Sequence, residues 1–81
     1  MANVAHIATI AAYPIKDELG GGFRGVYLNR ETRERIQSDQ LATLDEAKFW
    51  AKNAAWNKHE GCRYASLNKR GEYQANVWVD A

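Results

Sequence analysis

The residue types that most often carry catalysis are few in this sequence and are spread along it. His6 and His59 lie on separate predicted elements, and Cys62 has no Cys or His partner at the spacing of a zinc site. Ser38 and Ser66 lack the glycine-flanked context of an activated serine. The acidic residues are scattered, and a catalytic pKa needs a sheltered pocket that a small sheet with one helix seldom encloses. We therefore expect no enzyme, no metal site and no cofactor.

The composition is that of one small globular domain over residues 1–81, with 46% hydrophobic and 26% charged residues. Eleven basic and 10 acidic residues leave a net charge of +1, which excludes a strongly cationic nucleic-acid arm and an acidic DNA mimic. The single cysteine excludes an internal disulfide framework and, with the absence of a secretion signal, favours a cytoplasmic protein. No apolar run approaches the roughly 20 residues of a membrane span, so no membrane partner is expected.

A helix is predicted over residues 44–59. Thr43 precedes it and Glu46 follows three residues later, which is the spacing of a capping box. The helix dipole favours the negative charges of Asp45 and Glu46 in the first turn and the positive charge of Lys58 in the last turn. Gly61 is placed to end the helix in the left-handed conformation.

This helix has two distinct faces when its residues are plotted at about 100° each. One face gathers the predicted core stripe: Leu44, Ala47, Trp50, Ala51, Ala54 and Ala55. On the opposite face, Phe49 and Trp56 lie two turns apart beside Lys52 and Asn53, and we call these four residues the helix patch. A pair of aromatic rings in one outward stripe is unusual on a monomer. Three explanations stand: the N-terminal segment or a loop covers the rings, a protein partner or second copy does, or a small ligand does.

Alternating residues predict the strands. The first runs over residues 4–15 and ends near Pro14, and the second covers 23–29. After a polar turn, 33–40 forms the other half of a hairpin. Strands over 62–67 and 72–80, joined by a turn at 68–71, complete the order βββαββ. We expect an α+β fold with an antiparallel four- to five-stranded sheet and the helix packed on one face.

A second candidate surface lies on the sheet face that the helix leaves open. We expect the inward set to be Val26, Leu28, Ile36, Val77 and Val79. The outward set, which we call the sheet patch, is then Phe23, Tyr27, Arg33, Arg35 and Trp78. Aromatics interleaved with arginines suit single-stranded nucleic acid. They suit a protein interface equally well, or they only stabilise the sheet through cross-strand packing.

The order of elements resembles that of small phage and bacterial domains. The matching features are Gly22-Phe23 at a hairpin start, Thr43-Leu44-Asp45-Glu46-Ala47 opening a helix, Gly61 after it and Lys69-Arg70-Gly71 in a hairpin turn. Several anti-CRISPR proteins of phages and mobile elements are similar in size and element order. The resemblance covers nearly the whole chain and implies a stoichiometric inhibitor that docks on a CRISPR effector complex in a bacterial host cell. It assigns no functional residues.

The sequence thus predicts a non-catalytic binding protein that blocks a bacterial defence nucleoprotein complex sterically. The residues expected to bind the partner are those of the two patches. The alternatives are a single-stranded nucleic-acid-binding module that uses the open sheet face, or a homodimer through Phe49 and Trp56.

Overall fold

A computed structural model describes residues 3–80 of the chain, apart from the side chains of Asn68 and Lys69. One α-helix and five strands follow in the predicted order: β1 (Val4–Pro14), β2 (Phe23–Asn29), β3 (Arg35–Gln37), α1 (Leu44–Lys58), β4 (Arg63–Lys69) and β5 (Glu72–Asp80). A short 3₁₀ helix, Asp17–Leu19, lies between β1 and β2. The strands form one antiparallel sheet in the order β3-β2-β1-β5-β4, and α1 lies on one face over β1, β2 and β5. The predicted α+β class and element order are confirmed.

The helix begins as its sequence predicts. The Thr43 hydroxyl accepts the Glu46 backbone N–H at 3.1 Å, while the Glu46 carboxylate accepts from the N–H of Ala42, one residue before the expected cap. The helix ends at Lys58, one residue early, and Gly61 has the expected left-handed φ of +82°. No helix among residues 3–80 combines the length and apolar character needed to cross a membrane.

The core lies between the alanine stripe of α1 and the middle of the sheet. Ala47, Ala51 and Ala55 have no exposed surface, and they meet fully buried residues of the central strands, including Ile10 of β1 and Val77 of β5. Small alanines let a helix lie close to a sheet, so a short chain gains dense packing from few large side chains. The predicted core face of the helix is confirmed.

The prediction of which β2 face meets the helix is wrong. Tyr27 pairs with Ile10 across the β1–β2 ladder, and both are fully buried beneath α1. Phe23 shares that face and packs against the core. Val26 and Leu28 therefore lie on the open face. Alternation grouped the residues of this strand correctly but assigned the groups to the wrong sides.

The hairpin between β2 and β3 also differs from expectation. Strand β3 covers only three residues, and Arg33 lies before it in the turn, with a φ of +66°. The Asn29 side chain holds this turn, because its Oδ1 accepts the backbone N–H groups of Glu31 and Thr32 at 2.8 and 2.9 Å. A turn closed in this way takes up residues that simple alternation would place in the strand.

Candidate interaction surface

The helix patch forms as a continuous outward surface on α1. Phe49 is 67% exposed and Trp56 is 45% exposed, while Asn53 between them is also exposed. The described part of the N-terminal segment runs through the centre of the sheet as β1 and does not cover the rings. The explanation that this segment or a loop buries them is therefore wrong for the described residues.

A shallow groove extends the patch along one side of the helix. Its floor is apolar and comprises Leu41, Trp50 and Ala54, and Phe49 lies at its edge. Polar side chains, including Asn53 and Asn57, complete the rim. An apolar floor beside a projecting aromatic ring is the arrangement in which interface anchors of two proteins interlock.

Exposed carboxylates stand at both ends of the helix patch. Asp45 and Glu46 lie in the first turn of α1, and Glu60 follows its last turn. Lys52, the basic member of the patch, is half-buried because its ammonium group lies over the Tyr64 ring, 5.4 Å from its centroid. The aromatic rings therefore lie after two carboxylates of the first turn and before Glu60, while the basic Lys58 of the last turn is paired with Glu34 at 3.0 Å.

Tyr64 fixes the other side of the helix to the sheet. Its hydroxyl donates to the Lys52 carbonyl oxygen at 2.9 Å, which ties β4 to the second half of α1. Burial raises the pKa of the Tyr64 phenol, and the neighbouring Cys62 raises it further. Cys62 itself is buried.

The sheet patch does not form as one surface. Tyr27 is fully buried, with its hydroxyl 2.6 Å from Nε2 of His59 and 3.3 Å from the Asn29 amide that donates to it. Phe23 faces the helix side, and Arg33 lies in a turn. The sequence prediction that these three residues lie on the open sheet face is therefore wrong.

Arg35 and Trp78 do lie on the open face, but far from each other. Three strand spacings separate β3 from β5, which is roughly 14 Å. One face of the Trp78 ring already stacks on His6, with ring centroids 5.0 Å apart. Arg30 donates to Nδ1 of that histidine at 2.8 Å and so fixes its orientation. These residues lack the spacing and the free rings of a base-stacking platform.

The open face carries other residues that the sequence analysis missed as a group. Tyr13 and Arg24 are a cross-strand pair there, and Val26, Leu28 and Arg35 line a shallow depression beside them. The signal that could have revealed this face is Gly25, because a glycine inside a strand often marks the place where another backbone approaches closely. The odd-numbered residues of β2 must then face the helix.

A metal-binding cluster is not found among the described side chains. No three His, Cys, Asp or Glu side chains within residues 3–80 lie close enough to hold a metal ion. His6 stacks on Trp78, and His59 contacts Tyr27, so each histidine has a structural neighbour of its own.

Comparison with known proteins gives no relative. No protein-family model matches the chain, and neither a curated protein nor a solved structure matches it. The functional argument therefore depends on the surfaces of the molecule.

Proposed function

We propose that this protein is a non-catalytic binding protein that attaches through the helix patch to a basic protein surface. The observation that carries the proposal is the pair Phe49 and Trp56, which project from a helix whose opposite face already supplies the core. Exposed aromatic side chains are the commonest interface anchors, because they bury a large area at small entropic cost.

The charge around the rings supports a partner other than a second copy. If two α1 helices packed antiparallel with Phe49 against Trp56, Asp45 of each copy would face Glu60 of the other. Like charges placed opposite each other weaken such an interface. A partner with basic residues around an apolar depression would instead complement both the rings and the acidic ends.

Basic surfaces of this kind are typical of proteins that hold nucleic acid. The size and the element order, which resemble those of anti-CRISPR proteins, support a more specific proposal. The protein is a phage or mobile-element inhibitor that acts in the bacterial cytoplasm by covering the nucleic-acid-binding surface of a defence complex. Occlusion needs only a rigid surface that binds tightly, and the exposed face of α1 provides one.

Purified CRISPR effector complexes of several types provide the test. We expect the protein to block target-DNA cleavage by one of them at a stoichiometric ratio, and a variant with Phe49→Ser and Trp56→Ser to lose this inhibition. Leu28→Ser is the matched control, because Leu28 is also an exposed apolar residue, at 39%, but lies on the open sheet face.

A wild-type protein that inhibits none of these effectors, in solution or in phage-challenged cells that carry them, would remove the defence-inhibitor proposal. Sedimentation of the wild type tests self-association separately. A dimer that reverts to a monomer in Trp56→Glu would assign the helix patch to a second copy.

A further inference from the structure

Strand β4 is a long and unprotected edge of the sheet. It spans seven residues and pairs only with β5, whereas β3 at the opposite edge spans three. Edge strands present a row of unpaired backbone groups to which another chain can add, and proteins usually shorten or block them. This sheet shortens one edge and leaves the other long.

The register of the β4–β5 hairpin shows which backbone groups are free. Lys69 pairs with Glu72 across a two-residue turn. Residues that flank such a turn exchange both backbone hydrogen bonds, and bonded and non-bonded pairs then alternate along the ladder. The backbone N–H and C=O groups of Tyr64 and Ser66 therefore point away from β5. Within residues 3–80, no turn or loop hydrogen bond uses these groups.

Two of the usual devices that block an edge, a proline and a β-bulge, are missing from this strand, and its charged residues lie only at its ends. Residues 63–69 contain no proline and pair with β5 without a register shift. The central residues Ala65, Ser66 and Leu67 are uncharged and exposed, and Leu67 is 44% exposed. The backbone of α1 lies over β1, β2 and β5, so it does not cover this edge.

Lysines border the edge on its helix side. The Lys48 ammonium group is 4.8 Å from the centroid of the Tyr73 ring, and that of Lys52 is 5.4 Å from the centroid of Tyr64. Neither lysine forms an ion pair with any described residue. Arg70 lines the same groove as Lys48 and adds a third positive charge.

Two carboxylates, Asp45 and Glu72, also line this groove and balance the charges of Lys48 and Arg70 there, so the excess basic group on this side of the edge is Lys52, over the Tyr64 ring. Strand β4 itself contains no acidic residue and has two basic ones, Lys69 and Arg63, of which Arg63 pairs with Asp80 of β5. Charge complementarity therefore favours an acidic occupant.

We propose that a partner protein adds an extended acidic strand to β4. Side chains of an added strand alternate between the two faces of the sheet. Acidic side chains on its helix side would lie near Lys48 and Lys52, and apolar side chains on the other face would lie beside Ala65 and Leu67. This docking edge shares Lys52 with the helix patch but does not use its exposed rings, Phe49 and Trp56, and the inference does not depend on the function proposed above.

A second copy of the chain fits this edge poorly. The only antiparallel register that pairs all seven residues of β4 with themselves is centred on Ser66. It sets Arg63 of each copy opposite Lys69 of the other, and like charges directly opposite each other destabilise a sheet.

The test is a titration of the full chain, monitored by nuclear magnetic resonance, with two synthetic peptides of the same length as β4. One alternates Glu with Val, and the other alternates Lys with Val. We expect the acidic peptide to bind at least about tenfold more tightly, because only its charge complements the edge. It should also slow amide hydrogen exchange at Tyr64 and Ser66, whose N–H groups gain partners.

Variants distinguish strand addition from general charge attraction. Ser66→Pro removes an outward N–H without removing a β4–β5 hydrogen bond, so it should abolish binding, while Ser66→Thr should retain it. Lys48→Glu combined with Lys52→Glu should reverse the peptide preference. Phe49→Ser should bind the peptide like the wild type, which separates this test from that of the helix patch.

Equal binding of the two peptides, or no binding at millimolar concentration, would overturn the proposal. So would concentration-dependent protection of the Tyr64 and Ser66 amides without peptide, because it would identify a second copy as the occupant.

Discussion

Gly25 lies so close beneath α1 that a Cβ atom at this position would be 2.6 Å from the carbonyl oxygen of Ala47 and 2.7 Å from Cε3 of Trp50. Helix and strand therefore touch backbone to backbone at this point. The contact sets the height of the helix above the sheet, and it determines that Tyr27 faces inward and Val26 outward.

Gly25→Ala is expected to lower the free energy of unfolding by roughly 2–3 kcal/mol, because neither the helix backbone nor the Trp50 ring can move away without loss of packing. Urea denaturation measures the change. Gly61→Ala is the control, since no atom lies within 4 Å of a Cβ there and only its φ of +82° is unfavourable. It should cost about 1 kcal/mol. Equal losses in the two variants would contradict a close contact at Gly25.

The helix and most strands could be predicted because their signals are local. The Thr43 cap, the alanine stripe and the alternation of β5 each fix structure within a few residues. The side of the sheet that β2 turns to the helix is not local information, because Tyr27 and Val26 are both apolar enough for a core. Only the contact of Gly25 with α1 decides between them, and that contact joins residues far apart in the sequence.

The candidate site divides in the same way. The helix patch depends on helical periodicity alone, so the exposure of Phe49 and Trp56 was predicted correctly. Predicting the sheet patch required knowing which side chains of three strands lie on the open face. An error for one strand was enough to separate the members of the patch. The free edge at β4 depends on strand order, which requires β1 to insert between β2 and β5. No pattern within a single strand predicts that order.

The two faces of α1 should respond oppositely to substitution. Phe49→Ser is expected to change the free energy of unfolding by less than about 0.5 kcal/mol, because the ring is 67% exposed. Trp50→Ser, one position along, should cost about 3 kcal/mol, since this side chain packs against the core. Thermal and urea unfolding of both variants measure the difference. A large loss in Phe49→Ser would show that the ring is covered within the chain.

Tyr27 should behave as a core residue and not as a binding residue. Tyr27→Phe keeps the ring but removes the hydroxyl that His59 and Asn29 contact. Leaving these groups without a partner should cost about 1–2 kcal/mol of unfolding free energy. Inhibition of the partner should remain unchanged when it is measured below the unfolding temperature. If Tyr27→Phe left the stability unaltered but abolished binding to the partner, Tyr27 would belong to the interaction surface.

The open sheet face should not act as a stacking platform for single-stranded nucleic acid. One face of Trp78 is occupied by His6, so Trp78→Ala is expected to leave oligonucleotide binding unchanged at low salt. Fluorescence anisotropy with labelled single strands at several salt concentrations provides the measurement. Any weak binding should depend on charge alone and fall with Arg35→Ala. Tight binding that Trp78→Ala abolishes would contradict this expectation.

The partly buried phenol of Tyr64 should make the free energy of unfolding decrease at alkaline pH. Its pKa is raised in the folded state, whereas in the unfolded chain the phenol titrates near its ordinary pKa of 10.0. The unfolded state therefore loses this proton first as the pH rises. The stabilisation is fully present below pH 10 and decreases above it.

Tyr64→Phe isolates this contribution, because it keeps the ring and removes the ionisable group together with the hydrogen bond to the Lys52 carbonyl oxygen. At neutral pH the variant should be less stable by about 1 kcal/mol. The difference should shrink as the pH rises above 10, because only the wild type gains an ionised unfolded form. Urea denaturation of both proteins from pH 7 to about pH 11 measures the trend. A difference that stays constant across this range would mean that Tyr64 ionises as readily in the folded protein as in the unfolded chain.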